Sequence, residues 1–283
     1  MEKHILPPGD IRFSIFKGME NRIFQAGVVF TQPAVVAGLI ESENEASSLG
    51  LEVRSRVREG MSVPAGQAVL TLTGPALALA VAEDRVLGWI GKASGVATAA
   101  RSFREMLPGR IRVVCGGWKK LPLPWRQNLR RAAAVGGVAT RILDDPFIYL
   151  DKNYIRMIGG ISGTLQAVAA LPGEKVIQLR GEWGDITEEA AQAVTNGAAV
   201  LMVDTGHVED VTRVAGYLRG SGWRQRVRLA FSGGITREDL PAIAGLDVDI
   251  VDIGRSVLDA PLADLRFEVL GPAQGAVPDI MSF

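Results

Sequence analysis

The chain has 283 residues, 47% of them apolar and 22% charged, a globular composition that excludes a disordered or collagen-like protein and is long enough for one large domain plus a smaller one. Thirty-one basic residues balance 31 acidic ones, which removes the electrostatic footprint of a general nucleic-acid binder and leaves a small ligand as the expected partner. The single cysteine, Cys115, excludes an intrachain disulfide and a cysteine-based zinc cluster, and it fits a reducing compartment, so the cytoplasm is the expected location.

From Leu51 to Val57 apolar and polar residues alternate, which predicts a half-buried strand. The turns at Glu59-Gly60 and Pro64-Ala65-Gly66 lead to a second run, Ala68–Leu72, that closes at Thr73-Gly74-Pro75. A small sheet is the result. Ala76 to about Met106 is rich in Ala and Leu, which predicts helices with a break near Ser94-Gly95. From Ile111 onward short apolar runs alternate with helical patterns, as in βαβ units around a parallel sheet. The runs are Ile111–Val114, Phe147–Leu150, Val176–Leu179, Ala199–Val203, Val227–Phe231 and Ile250–Ile253, with a further short one near Gly137. No stretch reaches the roughly 18 uninterrupted apolar residues of a membrane helix and no signal-peptide core follows Met1, so no membrane partner is expected.

In a sheet of this kind ligands bind at the carboxyl ends of the strands, and the chemistry is to be read just after each run. Ser232-Gly233-Gly234 follows the fifth run, where two glycines let backbone amides approach a phosphate, and Thr236 is placed to cap the next helix. Gly254-Arg255 follows the sixth and adds a second glycine turn with a cation. After the first run, Lys119, Lys120 and Arg126 stand among glycines and prolines as a cationic loop suited to carboxylate or pyrophosphate; the alternative is a solvated surface loop. Asp204 ends the fourth run, where it could hold Mg²⁺ or a ribose hydroxyl, or simply cap a helix. Arg141, Lys152 and Arg180 also fall near strand ends, and Gln178 shares a face with Arg180 by strand alternation. The mouth is expected to be cationic. Cys115 reads as a small apolar strand residue, and neither His4 nor His207 has partners that suggest metal or triad chemistry. A Schiff-base aldolase needs a buried lysine inside a strand, and Lys175 sits at a strand start.

Segments in order along the chain resemble the quinolinate phosphoribosyltransferase family. These are Val57-Arg58-Glu59-Gly60 with Val63-Pro64-Ala65-Gly66, Ser94-Gly95-Val96-Ala97-Thr98, Lys119-Lys120 with Arg126, Gly136-Gly137 with Arg141, Asp151-Lys152-Asn153-Tyr154, and Ser232-Gly233-Gly234 with Gly254. Gly181-Glu182-Trp183-Gly184-Asp185 and Ala260-Pro261-Leu262-Ala263-Asp264 are also similar to the related type II nicotinate phosphoribosyltransferases. The resemblance implies an α/β fold with an N-terminal sandwich domain and linking helices (1–110), an incomplete (β/α) barrel that binds the phosphoribosyl group (111–270), and a short tail (271–283). It implies transfer of phosphoribosyl from phosphoribosyl pyrophosphate to the ring nitrogen of an aromatic acid, quinolinate or nicotinate-like, in a homodimer or higher assembly with shared active sites.

In that reading Lys120, Arg141 and Lys152 carry the chemistry. Lys119, Arg126, Arg180, Asp204, Ser232, Gly233, Gly234, Gly254 and Arg255 bind substrate, and Asp204 with Glu182 holds Mg²⁺. Several positions depart from the family pattern. Thr140 replaces a histidine, Asp151 a lysine and Asp84 an arginine, and Gln178 and Arg180 stand where the family alternates acidic residues. These departures imply weak handling of the dicarboxylate quinolinate, and they leave Glu182 or Asp185 to complete the magnesium site. The second reading they allow is a catalytically altered relative that binds a phosphorylated ligand in a regulatory or scaffold role.

Overall fold

The computed structural model describes residues 6–273; His4 and the tail beyond Ala273 lie outside them. The described residues divide into two compact units, one made of 6–98 and 260–273, the other of Ala99–Asp259. The segment 260–270, expected in the barrel, therefore belongs to the first unit.

In the first unit a single turn, α1 (Arg12–Ile15), precedes β1 (Ile23–Phe30) and β2 (Ala34–Val35). Helix α2 (Leu39–Ser48) starts after Gly38, whose φ is 79° and whose missing Cβ leaves room for the Trp89 carbonyl. Glu59 accepts the Leu39 amide at 2.7 Å and so satisfies an orphan donor of the first turn. Strands β3 (Glu52–Ser55) and β5 (Ala68–Pro75) fall within or over the two expected runs, and a short β4 (Ser62–Val63), not expected from the sequence, lies between the turns.

Helix α3 (Ala76–Met106) is continuous, without the expected break at Ser94-Gly95. Both residues serve packing instead. The Ser94 hydroxyl accepts from the Ala37 amide at 3.0 Å and donates to its carbonyl at 3.1 Å, and a Cβ at Gly95 would overlap the Pro261 carbonyl. Phe30, Leu70, Leu72, Val86 and Ile90 lie at the centre of this unit's core.

The second unit repeats strand and helix: β6 (Arg112–Val114), α4 (Leu123–Val135), β7 (Phe147–Leu150), α5 (Lys152–Ile158), α6 (Ile161–Ala167), β8 (Glu174–Leu179), α7 (Ile186–Thr195), β9 (Val200–Asp204), α8 (Val208–Gly220), β10 (Arg228–Ser232), α9 (Leu240–Ala244), β11 (Ile250–Asp252) and α10 (Gly254–Leu258). Its strands are all parallel, in the order β6-β11-β10-β9-β8-β7, and the sheet curls as a half-barrel. Near Gly137 the chain makes only an isolated parallel bridge, Val114 to Ala139. Buried Val114, Val176, Val200, Met202, Ala230 and Ile250 form one cluster over the sheet.

Caps fix where the helices begin. Asp151 accepts the Asn153 amide at 2.9 Å to start α5. Asp185 opens α7 with a full capping box through Glu188; the Thr187 hydroxyl and amide, then Arg213, hold its carboxyl down to about 2. Thr236 does not act as a cap; its amide and hydroxyl both donate to Asp239, at 2.7 and 3.0 Å. The last strand, β12 (Leu265–Pro272), returns to the first unit and pairs antiparallel with β1, giving a four-stranded sheet of order β12-β1-β5-β3. No helix among the described residues is long and apolar enough to cross a membrane.

Candidate active site

Because all six strands of the second unit run parallel, the segments that follow them share one edge of the sheet. That edge carries the 115–126 loop, Asp151-Lys152, Arg180–Asp185, Asp204–Gly206, Ser232–Gly234 and Asp252–Gly254.

Strands β10 and β11 are neighbours, so the two glycine turns lie side by side, and the Ser256 hydroxyl ties them by donating to the Ile235 carbonyl at 2.6 Å. The amides of Gly233, Gly234 and Ile235 donate to no group among the described residues. Gly233 and Gly234 have φ of 119° and 82°, values that glycine adopts readily and side-chain-bearing residues rarely do, so the course of this turn depends on both. The Gly254 amide is already committed to Asp252 at 3.0 Å. Arg255 does not join the anion site: it is exposed and pairs with Asp259 one helical turn on, at 2.7 Å.

Asp252 ends β11 at this edge, and the sequence alone suggests no role for it. Its Oδ1 accepts from the Gly116 amide at 2.7 Å and the Gly254 amide at 3.0 Å, and a Cβ on Gly116 would run into the carboxylate. Desolvation raises its pKa, and Asp204 adds to the rise against those two amides and Lys120. Cys115 is buried, and desolvation raises its thiol well above the usual range, which makes it an inert packing residue.

Of the expected cations, Lys119 pairs with Asp151 at 3.0 Å, and Arg126 holds its own loop by donating to the Leu121 carbonyl at 2.8 Å. Arg141 lies 5.3 Å from the centre of the Phe147 ring. The side chains of Lys120 and Lys152 have no hydrogen-bond or ion-pair partner among the described residues. Asp151 is thereby not the repulsive group that the sequence suggested: against its own desolvation, Lys119 and the Asn153 amide hold it in the charged, paired form. The mouth is mixed in charge where a cationic one was expected.

The expected magnesium pair is placed differently from the sequence reading. Asp204 caps no helix; its Oδ1 accepts from the Ser232 hydroxyl at 2.6 Å, and its Oδ2 accepts from Gln178 and, at 3.0 Å, from Arg180. Glu182 is bound by Arg180 at 3.1 Å and by Arg156 at 2.8 Å, which outweigh its desolvation and keep its pKa low. Asp185, the other candidate ligand, is spent on its helix cap and on Arg213. Among the described residues no group of three or more His, Cys, Asp or Glu is arranged to hold a metal. As arranged, these carboxylates do not fit a protein-bound magnesium ion, which needs open oxygen ligands in near-octahedral geometry.

Two family models cover almost the whole chain: the quinolinate phosphoribosyl transferase N-terminal domain matches residues 10–94 and its C-terminal domain residues 96–268. The chain belongs to the quinolinate phosphoribosyl transferase family. Among its relatives, a probable nicotinate-nucleotide pyrophosphorylase (carboxylating) of Methanothermobacter thermautotrophicus is 27% identical over 87% of this chain and 88% of its own. The human nicotinate-nucleotide pyrophosphorylase (carboxylating) is 25% identical over 90% and 86%. The crystal structure of a nicotinate-nucleotide pyrophosphorylase from Ehrlichia chaffeensis has the same fold, with a TM-score of 0.79 over 91% of this chain and 92% of that one, at 17% identity. The half-barrel with a separate antiparallel sheet is thus the quinolinate phosphoribosyl transferase fold.

At position 84, where the resemblance implies an arginine, the side chain is engaged elsewhere. Asp84 pairs with Arg12 at 2.6 Å, and Arg85, its neighbouring cation, pairs with Glu45 at 2.7 Å. Missed by sequence reasoning was Glu189, a charged residue only 1% exposed. It accepts the amides of Arg180, Gly181 and Trp183, each at 2.9 Å, and so shapes the loop that carries Arg180. The signal was there: Ile186, Glu189, Ala190 and Ala193 form one stripe of α7, and a glutamate on an apolar stripe needs partners.

Lys120→Ala and Arg141→Ala are each expected to weaken pyrophosphate binding by about 1–3 kcal/mol, the cost of a lost charge-assisted contact. Arg255→Ala, whose guanidinium is spent on Asp259, should change it by less than about 0.5 kcal/mol. Calorimetry at fixed salt checks the ranking.

Proposed function

We propose that this chain transfers phosphoribosyl from phosphoribosyl pyrophosphate to the ring nitrogen of an aromatic acid of the quinolinate class, releasing pyrophosphate. Family membership supports the reaction type, and the names of the relatives support quinolinate as the acceptor. The observation that carries the reading to this chain is the set of three amides at Gly233–Ile235 that have no partner among the described residues, on the same sheet edge as Lys120 and Lys152, whose side chains likewise have none there. The alternative of a regulatory or scaffold relative finds no support in these comparisons.

The chemistry asks for little beyond such groups. The bond between ribose C1 and the pyrophosphate oxygen breaks with its electrons on the leaving group, C1 becomes cation-like, and the ring nitrogen lone pair forms the new bond. What lowers the barrier is stabilisation of the leaving charge by fixed donors that need no reorganisation. No protein nucleophile is required. With quinolinate, the carboxyl group beside the nitrogen then leaves as CO₂ and the ring carbon takes up a proton.

Quinolinate should be turned over poorly. A site for two adjacent carboxylates must offset their desolvation with several aimed cations. Here Thr140 is neutral, Asp84 and Arg85 are engaged within the first unit, and Lys119 is committed to Asp151. The expected kcat/KM for conversion of quinolinate to nicotinate mononucleotide lies below about 10⁴ M⁻¹s⁻¹, the lower end of ordinary enzymes, with monocarboxylic pyridines used at least as well. Steady-state assays with mass-spectrometric product identification test this, and an efficient quinolinate reaction would show that the altered positions are compensated.

A further inference from the structure

The side chain of Arg180 stands between the two carboxylates expected to hold a metal. Its Nε donates to Glu182 at 3.1 Å, and its Nη1 donates to the Asp204 carboxylate at 3.0 Å and to the Asp204 carbonyl at 2.6 Å. Gln178 completes the arrangement. Its Oε1 accepts the Lys152 amide at 2.7 Å, which fixes the side-chain amide so that the NH₂ group, and not the oxygen, faces Asp204. A metal approaching Asp204 therefore meets N–H groups from two sides and the Ser232 hydroxyl from a third.

The local charge leads to the same conclusion. Asp204 and Glu182 contribute two negative charges, Arg180 and Arg156 two positive ones, and the network is neutral. Among these four groups no net negative charge is left to attract a dication. The two N–H groups on Nη2 of Arg180 have no partner among the described residues, and the side chain is 33% exposed, so one end of a guanidinium anchored by two carboxylates remains free to donate. A planar guanidinium presents its N–H groups in a fork that matches a phosphate or pyrophosphate edge.

Resting on the phosphoribosyl transfer reading, we infer that Arg180 is the resident cation of this site: the protein holds no divalent metal of its own and meets the pyrophosphate-bearing substrate with a guanidinium. Any magnesium in the reaction then arrives bound to substrate and takes no ligand from Asp204 or Glu182. The role is specific to the guanidinium, because a lysine at 180 has one point of charge and cannot bridge both carboxylates while still donating outward.

Electron paramagnetic resonance of Mn²⁺ titrated into the full-length protein without substrate tests the first half. The expected result is no saturable Mn²⁺ site in the wild type and one site per chain in the double variant Gln178→Glu/Arg180→Glu, which restores open oxygens while position 178 can still accept the Lys152 amide. Saturable binding of one Mn²⁺ by the wild type, abolished by Asp204→Asn, would overturn the inference.

Calorimetry with phosphoribosyl pyrophosphate in excess chelator tests the second half. The wild type should bind the metal-free ligand, Arg180→Ala about tenfold or more weakly, and Arg180→Lys in between. Equal affinity in Arg180→Ala contradicts the role. If the double variant does not fold, the wild-type titration still decides on the metal. A wild type that binds no phosphoribosyl pyrophosphate under any condition contradicts the functional reading, and the Mn²⁺ result then stands on its own.

Discussion

Replacing Gly233 by alanine is expected to destabilise the second unit by about 3 kcal/mol or more and to abolish anion binding at the same time. Gly233 has φ of 119°, a region that side-chain-bearing residues rarely enter, and its Cβ would run into the Gly206 amide and the Thr205 carbonyl carbon. Backbone strain of this kind costs about 1–3 kcal/mol, and overpacking against unyielding backbone adds about 1–3 kcal/mol. Gly206 cannot retreat, because its amide is bonded to the Ser232 carbonyl at 3.0 Å and its own missing Cβ makes room for the Gly233 carbonyl. The loop must therefore re-aim, and the three free amides go with it. Gly234→Ala is the control: φ is 82° but the space is open, so only the conformational cost of about 1–2 kcal/mol applies. Chemical denaturation and phosphate titration of both variants check the order, and a Gly233→Ala protein within about 1 kcal/mol of wild type would contradict this packing.

Glu189→Ala should be the most destabilising change to any charged residue of the second unit, by about 3 kcal/mol. Glu189 is 1% exposed and its carboxylate satisfies three amides of one loop, those of Arg180, Gly181 and Trp183, at 2.9 Å each. Hydrogen bonds to a charged group contribute about 1.5–3 kcal/mol apiece, and truncation leaves the donors to find water at the loop's edge. The expected fall in Tm is about 6–12 °C for a domain of this size. Glu189→Gln keeps one acceptor oxygen and should lose roughly half as much. Since the same amides position Arg180, pyrophosphate affinity should fall with stability in both variants, measured by calorimetry beside thermal denaturation. Stability within about 0.5 kcal/mol of wild type in Glu189→Ala would mean that the loop finds other partners.

The six strands of the half-barrel were legible because each is a short apolar run bounded by turn residues, and Phe147–Leu150 matches its predicted span end to end. Strand β1 was not: Gln25 and Gly27 interrupt its pattern, and its partner β12 lies more than 200 residues away, a pairing no local periodicity encodes. The same distance explains why 260–270 was placed with the barrel. Gly95 reads as a helix break in the sequence, which does not show Pro261 packed against it.

At the site, strand alternation correctly put Gln178 and Arg180 on one face, both reaching Asp204. What alternation does not show is which charges neutralise each other. Arg255 is a cation beside a glycine turn by sequence and a partner of Asp259 in space, and Asp151 is repulsive until Lys119 is seen against it.

Phosphoribosyl transfer itself is followed through phosphorus. Phosphoribosyl pyrophosphate, magnesium and the wild-type protein are mixed with a panel of pyridine carboxylic acids, and the reaction is read by ³¹P nuclear magnetic resonance. Pyrophosphate and a phosphoribosylated pyridine are expected in equal amounts, formed only when an acid is present and lost in Gly233→Ala. Binding of phosphoribosyl pyrophosphate with no pyrophosphate released for any acid would contradict phosphoribosyl transfer by this chain.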